Sequence, residues 1–190
     1  MKRLIRFLLA AALLLLCNGC DTAELGWGTS HVADPAHYGN QGNYIELPDY
    51  FPEAVSEYTV NSYSYTLYAY MDICYEIFLD LTVTEAQFDS LLLHVRALPN
   101  IQMEREAYYA EGYYEIVFQD SYSLNPDEQF ERDPATVWNA NIEKVIYNPE
   151  TFHIIFERFD AFDSGVYPLN EVAYFNRFEI DPYEYVTMLP

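Results

Sequence analysis

Basic residues are scarce in this chain of 190 residues, where 9 Lys and Arg stand against 30 Asp and Glu. Lys2, Arg3 and Arg6 are clustered at the start, and every acidic residue comes after Cys20. From Cys20 onward, six basic residues therefore face thirty acidic ones, a formal charge of −24. No basic patch is left to meet phosphates, which excludes nucleic acid as a direct partner. An anionic membrane surface repels such a chain, so a charged partner has to be cationic.

Cysteine is as sparse. Of Cys17, Cys20 and Cys74 only the last stands in the body of the chain, so there is neither a Cys pair for zinc nor a disulfide framework. Two histidines flanking a glutamate at helical spacing are missing, since His31 and His37 are isolated from such a motif. Asp160, Asp163 and Gly165 miss the EF-hand spacing, as do Asp127, Glu128, Glu131 and Asp133. No metal and no cofactor is expected.

Reactive constellations are missing too. Ser164 and Gly165 lack the preceding glycine of a nucleophile elbow. Cys74 has His94 and His153 as conceivable partners, but its neighbours Asp72 and Glu76 would raise a thiol pKa, the wrong direction for a nucleophile. Asp72, Glu76 and Asp80 share one strand face, yet carboxylates four residues apart on a strand are about 13 Å apart, beyond the roughly 5 to 9.5 Å that glycosidases use. A partner from a neighbouring strand would be needed to close that gap. No catalytic residue is assigned, and an enzyme is disfavoured.

The one long apolar run is at the N-terminus, where residues 7–16 follow the basic Lys2, Arg3 and Arg6. The run is too short to span a bilayer and reads as an export signal. Leu16, Cys17, Asn18, Gly19 and Cys20 resemble the lipobox of bacterial lipoprotein precursors, with a departure at Cys17, where the pattern prefers Leu. The resemblance covers only the first 20 residues or so. It implies cleavage before Cys20, acylation of its sulfur, and a place on the bacterial cell membrane facing outside the cytoplasm. Two or more acyl chains anchor stably, where one alone is marginal. The expected organisation is a signal peptide over 1–19, a lipidated N-terminus and flexible tether over 20–43, and one domain over 44–190.

What the body of the chain has is pattern. Over positions 63–83 every odd residue is apolar or aromatic, a period of two that predicts strands with one buried face and one mostly wet. The stretch is too long for one strand and must turn near residues 69–72. Because the parity never breaks, the turn needs an odd number of residues or a bulge. Thr84 and Gln87 then form a capping box, and Phe88, Leu91, Leu92, Val95 and Leu98 make one helical stripe over about 84–98, with Asp89 and Arg96 facing water.

Residues 44–58, with Leu47, Tyr50, Phe51, Ala54 and Val55, are expected to dock on the domain. Strands follow over 103–109 and 113–119, the second with Tyr114, Ile116 and Phe118 inward. Residues 121–134 read as an acidic loop. Strands over 142–147 and 152–159 flank a type I turn at Asn148 and Pro149, which opposes Tyr147 with Phe152 and Val145 with Ile154. A short helix from Asn170 buries Val172, Phe175 and Phe178. The fold class is α+β: an antiparallel sheet of five to seven strands with one principal helix on one face.

Aromatic residues are plentiful, with 19 Tyr and 12 Phe. Tyr68, Tyr70 and Phe78 fall on the wet parity and form a candidate binding surface. The expected function is a lipid-anchored envelope protein with an acidic interaction domain and a cationic, aromatic-compatible protein partner. The alternative is glycan binding through the tyrosine face, with glycoside hydrolysis as its extension.

Overall fold

A computed structural model describes residues 28–39, 46–69, 73–124, 136–161, 167–168 and 173–180. The alternating stretch folds back on itself as β2 (Thr59–Ala69) and β3 (Ile73–Thr82), antiparallel partners in which Ala69 opposes Ile73 and Leu67 opposes Tyr75. Three residues separate Ala69 from Ile73, an odd number, so odd positions stay on one face across the turn. A register shift between Val60 and Ser62 breaks the ladder at its far end. This bulge turns Asn61 toward Asp80, to which its side-chain amide donates at 2.6 Å.

The chain next forms α1 (Glu85–Arg96) and crosses to the opposite edge of the sheet. The capping box at Thr84 and Gln87 is present with both reciprocal bonds. Phe88, Leu91, Leu92 and Val95 are buried and Leu98 is partly buried against them, each full burial contributing roughly 1.5 to 3 kcal/mol gross. Arg96 is exposed, as expected, and it also makes surface contacts. It donates to Glu104 at 2.6 Å and to the Tyr147 hydroxyl at 3.0 Å, with its guanidinium 5.5 Å from that ring.

Beyond α1 come β4 (Met103–Glu106), β5 (Tyr114–Leu124), β6 (Thr136–Asn148) and β7 (His153–Ala161). Strand β7 returns to pair with β3, giving the order β1-β2-β3-β7-β6-β5-β4 with every pair antiparallel. A two-residue strand, β8 (Tyr167–Pro168), pairs with β6, and α2 (Ala173–Phe178) follows. Among the described residues the fold is α+β, one antiparallel sheet with seven strands in line and β8 beside β6, and one principal helix. No helix among the described residues is long and apolar enough to cross a membrane.

Several expectations need correction. The segment taken as a tether contains β1 (Gly28–Val32), which pairs with β2, and a 3-10 turn at Pro35–His37. An uncovered strand edge recruits backbone partners, and here His31 adds a side-chain bond to Thr66 at 2.8 Å while Tyr38 donates to the Pro52 carbonyl at 2.6 Å. The loop expected from 121 is strand as far as Leu124. Tyr114 is not inward but 38% exposed, stacked on Tyr147 at 5.6 Å.

The turn between β6 and β7 lies one residue later than expected. Tyr147 opposes Ile154 and Val145 opposes Phe156, because the loop spans residues 149–152. Asn148 accepts from the amides of Glu150 and Thr151 at 2.9 and 3.1 Å, and Phe152 takes a left-handed φ of 51° to re-enter the strand. The shift is by two positions, so the aromatic and aliphatic ladder keeps its face.

The sheet is covered on both faces. Over the α1 side lie Tyr50 and Phe51, buried as a docking segment should be, while Ala54 is exposed. On the other side, Tyr174 and Phe175 of α2 close a second cluster with Phe78, Ile142, Ile146, Ile155 and Phe159. The expected helix near Asn170 is thus found from Ala173, with Phe175 buried and Phe178 partly so; Asn170 and Val172 lie outside the described residues.

Candidate functional site

The aromatic platform read from the sequence does not form around Phe78. Its ring is 2% exposed within the second cluster, because β7 brings Ile155 and Phe159 onto the same face and α2 covers them. Tyr68 lies between Thr29 of β1 and Cys74 of β3 in the ladder. Tyr70 and the lipidation candidate Cys20 lie outside the described residues. A signal for the second layer was present in the sequence. Val145, Ile146 and Tyr147, like Ile154, Ile155 and Phe156, are unbroken apolar runs, the mark of strands buried on both faces.

The face expected to be wet instead holds buried polar groups under α2. Glu76 and Asp80 of β3, His153 and Glu157 of β7, Lys144 of β6 and Glu115 of β5 are all buried. Parity puts them there, since strand pairing aligns Glu76 with Phe159, Phe78 with Glu157 and Lys144 with Glu157.

Asp80 is the hub of one half. It accepts from His153 Nε2 at 2.5 Å, from Asn61 at 2.6 Å and from Arg177 of α2 at 2.9 Å. Burial pushes its carboxyl up, but these three hydrogen bonds outweigh it and hold Asp80 below the usual aspartate range. In the neutral His153 tautomer that donates from Nε2, Nδ1 accepts from the Tyr113 hydroxyl at 2.8 Å. A line of Tyr, His and Asp has the geometry that activates a hydroxyl. Here burial pushes the Tyr113 phenol up, so the line holds its proton rather than releasing it.

In the other half Glu76 accepts from the Ala173 amide at 2.6 Å. Burial pushes its carboxyl up to about 8 against the pull of the Ala173 and Tyr174 amides. Glu157 is 0% exposed, and among the described residues neither carboxyl oxygen has a hydrogen-bond partner. Burial first, and the Glu76 charge second, push it well above the usual range, with Lys144 opposing. Each carboxyl therefore favours its protonated form, and ionising one makes ionising the other harder. Lys144, 0% exposed in its side chain, pairs with Asp120 at 2.7 Å and Glu115 at 3.5 Å; Arg105 also meets Glu115, at 2.5 Å. Strands β3 and β7 do place two carboxyls, Glu76 and Glu157, on neighbouring strands of one face. At 2% and 0% exposure neither meets a substrate in this arrangement, and no metal-holding group of three His, Cys, Asp or Glu occurs among the described residues.

No protein-family model, curated protein or solved structure matches the chain.

The surface carries the other half of the site's chemistry. Each of the five described Lys and Arg residues is engaged by an acid of the fold: Arg96 by Glu104, Arg105 and Lys144 by Glu115 and Asp120, Arg158 by Glu143, Arg177 by Asp80. Asp49, Glu53, Glu57, Glu85, Asp89, Glu106, Glu111, Glu150 and Glu179 are meanwhile exposed. Unpaired acid is therefore displayed on the surface, while each described cation, buried like Lys144 or exposed like Arg96 and Arg177, already has an acidic partner in the fold.

Two concavities flank the docking segment. One, of about 710 Å³, lies between that segment, residues 98–102 and the sheet, with Tyr50 and Phe118 stacked at 4.6 Å and with Glu143, Asn141 and Arg158 on its wall. The other, of about 770 Å³, lies between the segment and α1, with Asp49, Glu53 and Glu57 among its lining residues.

Proposed function

We propose that the chain is an exported lipoprotein, held on the outer side of the bacterial cell membrane by acyl chains on Cys20, whose domain is an interaction module for a cationic protein rather than an enzyme. The observation that carries the anchor is the lipobox-like run at residues 16–20 behind a basic and apolar leader. Cys74 adds support. Were Cys20 to serve in a disulfide, its partner in the folded domain would be Cys74, which is 2% exposed inside the second core cluster. A second thiol would have to enter that core to reach it. For the partner, the support is the acid displayed outward, with every described Lys and Arg engaged by an acid of the fold.

The glycan reading loses Phe78 from its platform, and no observed feature favours it over the cationic partner. Metabolic labelling with an alkyne fatty acid tests the anchor: the wild type labels and stays with the membrane, and Cys20→Ala does neither. Labelling of Cys20→Ala, or unlabelled wild type free in the medium, contradicts it.

A further inference from the structure

We infer that the groove between residues 47–58 and α1 seats the partner's cationic segment, a stretch with lysine or arginine beside an apolar side chain. This rests on the cationic-partner reading and gives it a place. The groove is of about 770 Å³, inside the roughly 300 to 1,000 Å³ of ligand clefts. Its lining includes apolar Leu47, Pro48 and Leu98, partly exposed over the buried Phe51 and Leu91, together with acidic Asp49, Glu53 and Glu57. The three acids are exposed, and among the described residues no cation pairs with them. A lysine or arginine lays its aliphatic stem over apolar surface and carries its charge to the rim, so both parts of the lining are used at once.

The groove is built by hydrogen bonds at its two ends. His94 of α1 holds the Asp49 carbonyl at 2.8 Å, and Gln87 donates to the Glu57 carbonyl at 3.0 Å. Between those ties the segment carries Glu53 and Ala54, both exposed.

Charge selects the occupant. A second copy of the chain would set this acidic rim against its own likeness, and anionic headgroups are repelled in the same way. Residues 21–27, 125–135 and 181–190 each carry more acid than base, so none of them complements the rim.

The test uses the full chain purified in detergent and two fluorescein-labelled peptides, one alternating leucine with lysine, the other with glutamate in place of lysine. Fluorescence anisotropy should show binding of the lysine peptide alone. Glu53→Gln with Glu57→Gln should weaken it about tenfold or more, and the effect should shrink as salt rises. Ala54→Trp, which changes no charge but fills the groove, should weaken it as well. Glu106→Gln with Glu150→Gln, the same charge loss elsewhere, should change it by less than about twofold. Equal losses in the two pairs, or unchanged binding by Ala54→Trp, overturn the groove and leave the cationic partner standing. Wild type that binds neither peptide overturns both. A dimer seen by sedimentation and dissolved by Ala54→Trp would make the occupant a second copy, which also overturns it.

Discussion

Glu157 and Glu76 are diagonal neighbours on adjacent strands of one sheet face, and the Glu76 charge helps to push the Glu157 carboxyl up. Facing them are Lys144, Asp80 and His153 from the sheet, Glu115 and Asp120 around Lys144, and Tyr174 and Arg177 from α2.

A pH dependence follows from that pair. Both carboxyls bind a proton more tightly in the fold than in the unfolded chain, where a glutamate titrates near 4.5. Their contribution is full below about pH 4.5 and is lost as pH rises through about 8 for Glu76. Urea unfolding should therefore find the chain more stable at pH 5 than at pH 8, by roughly 2 to 4 kcal/mol. Glu157→Gln, a neutral isostere, should flatten this slope and raise stability at pH 8. Asp80 runs the other way, and its contribution disappears only below the ordinary aspartate range.

Helix α1 separates buried from exposed substitutions. Leu91→Ala or Leu92→Ala should cost about 2 to 5 kcal/mol, and Asp89→Ala no more than about 0.5 kcal/mol. Arg96→Ala should fall between, near about 1 kcal/mol, because its pair with Glu104 is largely exposed. Equal costs at Leu91 and Asp89 would mean that the helix is not pinned by the stripe.

The hairpin after β6 turns on one side chain. Asn148 is 8% exposed and accepts two amide hydrogens, from Glu150 and Thr151. Asn148→Ala should cost roughly 1 to 3 kcal/mol by chemical denaturation, and Asn148→Asp, which still accepts both, should cost less. The reverse order would place the stability of this loop elsewhere.

Phe78 decides the fate of the aromatic platform. As a core ring, Phe78→Ala should destabilise by about 3 to 5 kcal/mol. A Phe78→Ala chain with unchanged unfolding that has lost binding on a polysaccharide array would put the ring back on a ligand surface.

Much of the α1 side was readable from the sequence because it depends on local rules. The parity of residues 63–83 demanded an odd turn, and Thr84 with Gln87 specified the start of the helix. The second layer left only a partial local signal, the apolar runs at residues 145–147 and 154–156. Whether Glu76, Phe78 and Asp80 meet water depends on α2, which lies about a hundred residues away and reaches them through Ala173 and Arg177. Strand β1 has the same origin, since Gly and polar residues carry no period and only the open edge of β2 makes them a strand. Of the candidate site, the acidic excess could be counted from composition. The pairing of each described cation with an acid of the fold, and the groove beside α1, required the packing of distant segments.

Mass spectrometry of the N-terminal peptide, taken from protein extracted from bacterial membranes, is the most direct test of the proposed identity. The expected result is a peptide that begins at Cys20 and carries a diacylglyceryl group on its sulfur. A peptide that begins elsewhere, or an unmodified Cys20, would contradict lipid anchoring and the envelope role built on it.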